Sequence, residues 1–396
     1  MRNLFLITAT VFLLLSCKNN SVKSIDNKLL IIDINPLQSK EFDFNDVFSD
    51  YSFIKLETDE NILISSIDQM KICNDRIYIF DFRRTISLHC FDMQGKHLFG
   101  VGSKGQGPGE YTNASDFAID TINKKIWIGD DGRKILSYDL DGNFLKDYSV
   151  DFSIRNISII PDSEEFFLIR FGYYKEKEDY SSGIYSLAEN TLLSHINKIS
   201  NFESQIGAKS ISRYKDELLF GFGFNDTIYR VNLQDGFTPK YVLDFGENKT
   251  PESLLEKDLR SFYMEFNNPD QQYTGLISNF VETDNHLQFN YSFSGKHMKA
   301  FYSKSNNMVI NISKILLNGK EQQLSQMFSY FDAGYVYSIL SADNIIEDSN
   351  VNTIIDDKKP KYGVFNSLNE LKTVTNADDN PIIVKGVIDK RKLQIE

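Results

Sequence analysis

Proline is scarce in this chain, at 8 of 396 residues, and glycine is modest at 22, which excludes collagen-like and proline-rich classes. Cysteine is scarcer still, at 3, too few for a disulfide framework. The 5 histidines, His89, His97, His195, His286 and His297, show neither HxH nor HxxxH spacing, so a histidine-ligated zinc centre is not signalled. No G-x-S-x-G elbow is present, and no glycine-rich loop is followed by Lys-Ser or Lys-Thr. Basic residues are outnumbered, 43 Lys+Arg against 55 Asp+Glu, for a net charge of −12. Such a surface repels phosphate backbones, which disfavours nucleic acid as a partner, and none is expected. What remains is ample core material: 41% hydrophobic and 13% aromatic, with 31 Phe and 20 Tyr, enough to rule out wholesale disorder.

The N-terminus sets an expectation about compartment. Arg2 precedes an apolar run at residues 4–15, shorter than the ~20 residues a membrane-spanning helix needs. The run ends in Leu14-Leu15-Ser16-Cys17, which resembles a bacterial lipobox. That resemblance implies cleavage after Ser16 and a lipid on Cys17, whose acyl chains anchor the protein at about 0.8 kcal/mol per buried CH₂. Residues 1–16 are read as a lipoprotein signal peptide, 17–28 as a flexible tether and 29–396 as one domain. Lys18 and Asn19 stand where surface-displayed lipoproteins of Bacteroidota carry acids, so periplasmic-side anchoring is at least as well supported as surface display. Of the other cysteines, Cys73 and Cys90 sit in strand-like segments and read as buried thiols.

A repeat runs along the domain. Phe91-Asp92-Met93-Gln94-Gly95 aligns with Tyr138-Asp139-Leu140-Asp141-Gly142, with Tyr185-Ser186-Leu187-Ala188-Glu189-Asn190, and with Val231-Asn232-Leu233-Gln234-Asp235-Gly236. The lead positions are 47, 47 and 46 residues apart. Each copy reads as strand, Asp/Asn/Gly turn, strand, and a β-rich run precedes each one. A period of roughly 40–50 residues with four strands per unit predicts a β-propeller. Six units are expected, at about 63–102, 113–150, 154–200, 208–246, 275–316 and 325–392. The fold class is therefore all-β: a six-bladed propeller with four-stranded antiparallel blades. The last unit is one strand short, and residues 51–57 are expected to supply its outer strand, with 29–34 as a further edge strand. Short helical insertions are expected after Thr250-Pro251-Glu252 and within residues 343–372.

Three stretches resemble a six-bladed propeller lipoprotein family of Bacteroidota, akin to NHL propellers. These are Phe53-Ile54-Lys55-Leu56-Glu57-Thr58 with Ile64-Ser65-Ser66-Ile67, the loop Gly105-Gln106-Gly107-Pro108-Gly109-Glu110-Tyr111, and Asn380-Pro381-Ile382-Ile383-Val384. Lys55 and Ser65 depart from the Pro and Gly usual there. The resemblance implies the fold and the envelope location, and no activity.

Candidate sites follow, each with a structural reading beside it. Gly105, Gly107, Pro108, Gly109, Glu110 and Tyr111 form either a tight inter-blade crossover or an anion-binding turn of free amides. A Ca²⁺ site would draw on Asp68, Asp116, Asp120 and Glu282, the acids nearest the inner strands; otherwise these are solvated strand-end acids. Trp127, Tyr173, Tyr174, Tyr263 and Tyr273 could stack sugars or simply pack between blades. Tyr173-Tyr174, followed by charged residues 175–179, is expected to form an exposed partner-binding protrusion. The leading functional expectation is a monomeric, lipid-anchored binding or scaffold module for an envelope glycan or protein, requiring no cofactor. A Ca²⁺-dependent hydrolase or lyase on sugar-derived substrates is the alternative. A regulatory partner of a nutrient-uptake system is a third reading.

Overall fold

The computed structural model describes residues 29–175, 177–203, 211–346 and 362–394. Cys17 and the tether lie outside these, as does part of the 343–372 insertion. The protein is a six-bladed β-propeller of four-stranded antiparallel blades with few helices. Blade one is Gln69–Cys73, Arg76–Asp81, Ser87–Asp92 and His97–Gly100; blade two is Ala114–Asp120, Lys125–Asp130, Lys134–Asp139 and Phe144–Ser149. Blade three is Phe152–Ile159, Phe166–Tyr174, Tyr180–Ser186 and Thr191–Asn197; blade four is Ile211–Tyr214, Glu217–Phe220, Thr227–Asn232 and Gly236–Asp244. Blade five is Thr274–Glu282, His286–Phe293, Lys296–Ser303 and Val309–Leu317.

Blade six is completed from the far end of the chain. Tyr330–Asp332, Tyr335–Leu340 and Ile382–Ile388 are joined by the N-terminal strand Phe48–Lys55, with Phe53 opposite Val384, and Gly363–Phe365 adds a short strand outside it. We label the N-terminal strands β1 (Leu30–Asp33), β2 (Ser39–Asp43) and β3 (Phe48–Lys55). β1 is an edge strand, but on blade four, where it runs parallel to Gly236–Asp244; β2 does the same on blade five against Val309–Leu317. The N-terminal segment thus walks the rim over three consecutive blades before sealing the ring.

Middle strands explain the aromatic and β-branched runs. Each lies between two neighbouring blades, so both faces are buried and the sequence is continuously apolar instead of alternating. Ile77, Tyr78, Ile79 and Phe80 are all fully buried. Tyr78 and Phe80 pack towards Phe117, Ile126 and Ile128 of blade two; Ile77 and Ile79 pack towards Tyr337, Ile339 and Ile383 of blade six. Outer strands face water, and Phe144–Ser149 is exposed along most of its length.

The repeated turn has a physical cause. Asp92 Oδ1 accepts from the amides of Gln94 and Lys96, Asp139 Oδ1 from those of Asp141 and Asn143, and Asn232 Oδ1 from those of Gln234 and Asp235. Each side chain closes its own hairpin, and Gly95 and Gly142 take the positive φ (+84° in both) that the turn requires.

Two bonded groups lock the ring. Asn380, 1% exposed, donates to the carbonyls of Glu57 (2.9 Å) and Ile62 (2.7 Å) and accepts from the amide of Ile64 (2.7 Å). Lys55 Nζ lies 2.9 Å from Asp379 Oδ2, and both side chains are largely buried. In the insertion after blade four, Glu252–Leu255 follows Pro251, and Leu259–Phe266 is capped by Asp258, which accepts from the amides of Arg260 and Ser261. The buried Phe262 and Phe266 of that insertion pack on Phe224. In the second insertion, Ala342–Ile345 and Leu368–Lys372 are helical. Among the described residues no helix is long and apolar enough to cross a membrane.

Candidate functional site

All six inner strands run in the same sense along the axis, so their first residues gather at one end of a central channel and their last residues at the other. The starting end opens into a cavity of 1590 Å³ and the finishing end into one of 400 Å³. Gln69, Asn156, Ser329 and Tyr330 line both, and so form the waist between them. Asp116 is held at this waist: its Oδ2 accepts from Asn156 Nδ2 (3.1 Å) and the Ile157 amide (3.0 Å). Burial raises its pKa despite the nearby ammonium of Lys71. The Tyr330 hydroxyl donates to the Asp68 carbonyl (3.3 Å), and burial pushes its pKa up as well.

Five blades build the wall of the large cavity. On blade one, the Asp68 carboxylate accepts from Ser66 Oγ and the amides of Phe82 and Arg83, and Arg83 Nε lies 3.2 Å from its other oxygen. Burial outweighs these donors, so its pKa is raised. Blade two contributes Asn113 and Ser115. On blade three, Arg155 bonds Asp131 (3.2 Å), while its buried Nε has no hydrogen-bond partner among the described residues. Arg170, 2% exposed, donates to the Glu203 carbonyl (2.8 Å) and lies 3.6 Å over the Phe222 ring; burial lowers its pKa to about 9. Blades five and six add Asn279, Asn290, Ser292 and residues 321–326, where the cavity extends between the two blades.

At the narrow end, Lys71 projects from blade one and Arg213 from blade four. Lys71 is enclosed by neighbours yet keeps contact with the channel, 5.0 Å from the Phe117 ring. Burial lowers its pKa, opposed by Asp116 and aided by Arg213.

The four acids considered for Ca²⁺ fall in different environments. Asp68 belongs to the large cavity and Asp116 to the waist. Asp120 caps a turn, accepting from the amides of Ile122 and Asn123. Glu282 lies between blades four and five, accepting from Lys240 (2.8 Å), Lys304 (2.7 Å) and the Tyr241 hydroxyl (2.7 Å). Burial pushes Glu282 up, but these donors outweigh it and hold its carboxyl below the usual range. Among the described residues no three His, Cys, Asp or Glu side chains gather as a metal cage.

The loop at residues 105–111 connects blades one and two and folds on itself. Glu110 accepts from the Gly107 amide (2.7 Å), the Gly105 amide donates to the Tyr111 carbonyl (3.0 Å), and the Glu110 amide donates to the Gly107 carbonyl (3.0 Å). Tyr111 is 1% exposed and donates to the Val101 carbonyl; Gly109 receives the Tyr138 hydroxyl at its carbonyl, and Pro108 sits at the turn between them. The amides of Gly105, Gly107 and Glu110 are therefore already spent within the loop.

The aromatic residues are dispersed. Trp127 is buried against Phe167 at the boundary of blades two and three, and Tyr263 lines the large cavity. Tyr273 packs beside the insertion over blade four. The two tyrosines expected to face solvent part company. Tyr173 is exposed, but Tyr174 is buried against Phe152 and Phe171, because adjacent strand residues point to opposite faces. The two cysteines are buried free thiols. His89 and His97 pair at 3.1 Å, with burial, then His97, lowering the His89 pKa to about 4.

Sequence reasoning missed Asn290, Lys71, and the buried pair Asp81 and Asp130. These two aspartates end the second strands of blades one and two and tie down the preceding loops, through the amides of Ser65 and Ser66 and of Thr112 and Asn113. Their common place after Ile-x-Ile-x in consecutive units was the available signal.

The sequence profile of a domain of unknown function, DUF4934, matches residues 29–386. No curated protein matches the chain. A Bacteroides fragilis protein whose export is inferred shares 20% identity and the same fold (TM-score 0.72), covering 92% of this chain and 100% of its own. A DUF4221 family member from Bacteroides vulgatus superposes with TM-score 0.47 at 10% identity, over 86% of this chain and 96% of its own. BamB from Moraxella catarrhalis does so with TM-score 0.38 at 9% identity, over 65% and 63%.

Proposed function

We propose, from the premise that the chain belongs to the DUF4934 family, that it is an exported propeller, lipid-anchored in the cell envelope through Cys17, which binds a glycan or protein partner at the wide mouth of its channel. It acts as a monomer and needs no cofactor for this. One observation carries the reading: a 1590 Å³ cavity walled by polar and charged side chains from five blades. Cavities of this kind, concave and with a few convergent polar groups, are where ligands bind. Location is supported by the basic, apolar, Ser16-Cys17 sequence at the N-terminus and by the inferred export of the Bacteroides fragilis relative.

The test uses the full chain in its native envelope. Wild-type protein is expected in the membrane fraction, and Cys17→Ala in the soluble one. Immobilised protein is expected to retain a glycan or protein from detergent-solubilised envelopes, with the retained material lost when Arg155 is changed to Glu. Retention of nothing, or retention indifferent to Arg155→Glu, would overturn the binding reading. Membrane association of Cys17→Ala would overturn the anchor.

A further inference from the structure

Two cations converge at the narrow end of the channel, away from the wide mouth. Alternate residues of a strand point to the same side, so the position that follows Gln69 along the channel is Lys71, that after Asn156 is Ser158, and that after Tyr330 is Asp332. Ala118, Arg213 and Val281 come from the other three blades, so all six contribute to the wall of this 400 Å³ chamber. Lys71 is partly exposed and Arg213 exposed. They stand close enough for the guanidinium to disfavour charge on the Lys71 ammonium, and like charges in an enclosed chamber repel. Yet neither has an ion-pair partner among the described residues. Lys71 Nζ makes no hydrogen bond there, and Arg213 commits only its Nε, to the Lys215 carbonyl at 3.2 Å. The acids of the chamber do not neutralise the pair. Asp116 attracts Lys71 from the waist, but it is held by Asn156 and the Ile157 amide and burial disfavours its charge. Asp332 stands exposed on blade six.

We propose that this chamber is a second binding site, for a small organic monocarboxylate whose oxygens are gripped by the terminal nitrogens of Arg213 and by the ammonium of Lys71. The site does not rest on what the wide mouth binds. A guanidinium with both terminal nitrogens unspent meets the two oxygens of a carboxylate end-on, and the lysine adds a point charge. The bound anion also relieves the repulsion between the two cations. The charge count favours a single negative charge: two cations less Asp332 leave one positive charge, and a dianion would face Asp332 and Asp116 with no further cation to offset it. The rest of the wall suits the organic part of the ligand. Ala118, Ile211 and Val281 are apolar, and Ser158 and Ser212 offer hydroxyls beside them. A chamber of 400 Å³ is of the size that small-molecule sites take.

The experiment is a thermal-shift and calorimetric titration of the full chain in detergent with acetate, pyruvate, hexanoate and benzoate, and with hexanamide, benzamide and inorganic phosphate beside them. At least one carboxylate is expected to raise the wild-type melting temperature, as a ligand bound only by the folded form must. Its uncharged amide is expected to bind more weakly, and phosphate more weakly than the best carboxylate. Lys71→Met and Arg213→Gln are each expected to weaken carboxylate binding about tenfold or more, the loss of one charge-assisted hydrogen bond. Arg213 is exposed, so its variant decides the matter alone if Lys71→Met does not fold. No binding of any of the four carboxylates, equal affinity for acid and amide, phosphate binding tighter than every carboxylate, or unchanged affinity in Arg213→Gln would each overturn the proposal. Loss of envelope material from the wide mouth in Arg155→Glu, with carboxylate affinity kept, would show the two sites to be separate; carboxylate binding lost together with it would overturn the placement at the narrow end.

Discussion

Replacing Asn380 by Asp exchanges an NH₂ for an oxygen at the point where the two chain ends meet. Asn380 is 1% exposed, and its Nδ2 serves the carbonyls of Glu57 and Ile62 at 2.9 and 2.7 Å, while Oδ1 accepts from the Ile64 amide at 2.7 Å. Three satisfied bonds at a net ~1 kcal/mol each put Asn380→Ala at about 3 kcal/mol, rising to about 5 kcal/mol where the stranded carbonyls stay dry. Asn380→Asp keeps the acceptor but turns a negative oxygen on two carbonyl oxygens, so it costs at least as much at neutral pH despite being isosteric. Protonation restores one donor, so the gap between this variant and wild type narrows in mild acid. Urea unfolding monitored by circular dichroism reads the magnitude, and the shift is a large fraction of the 5–15 kcal/mol typical of a folded domain. Hydrogen exchange reads the location. Amides of β3 and of Ile382–Ile388 should lose protection while those of Phe166–Tyr174 in blade three keep theirs, because the damaged contact seals only the ring closure. A cost below about 1 kcal/mol for the Asp variant, or protection lost evenly around the ring, would refute the reasoning.

Three further outcomes are expected. Glu282→Gln should cost about 2 kcal/mol, since it strips a buried anion from Lys240 and Lys304 while leaving Lys240 its contact with Glu217. Because the folded pKa of Glu282 lies below its unfolded value, its contribution is complete above that value and is lost as acid protonates it. Wild type should therefore lose more stability than Glu282→Gln between about pH 6 and about pH 3, and equal losses would contradict the assignment. Gly95→Ala should cost at least about 2 kcal/mol, read by urea midpoint, because φ is +84° and a Cβ would stand 2.2 Å from the Lys55 carbonyl oxygen. Cys73 and Cys90, with the Cys90 thiol pushed up to about 12 by burial, should react with a thiol reagent at mildly alkaline pH only after unfolding; rapid labelling of the native protein would show the blade-one interior to be open.

Legibility followed how local each signal was. The repeated Asp/Asn turns could be read because each side chain bonds amides within four residues of itself and the glycine that follows must take a positive φ. The helix start at Pro251 and Glu252 was legible for the same reason, although the run divides into two short helices with Asp258 capping the second. Tyr174 was misplaced beside Tyr173 because a charged flank suggested a loop, whereas the strand extends through both and alternation turns one of them inward. At the site, Asp68 and Asp116 were recognised as inner-strand acids, but Asn290 was passed over. A strand asparagine carries no mark of burial in its own segment, and its lack of a partner among the described residues depends on what the neighbouring blades present across the boundary.

Taken alone, the amino-acid order settled the blade count, the all-β class and the N-terminal strand that completes the last blade, since spacing and turn chemistry act over a few residues. Tertiary structure alone decided where β1 and β2 attach, because parallel pairing at a rim joins segments about 200 residues and more apart and leaves no periodic trace. It also decided that the channel is pinched at Gln69, Asn156, Ser329 and Tyr330. Such properties belong to the closed ring, in which each blade's solvent is largely its neighbours.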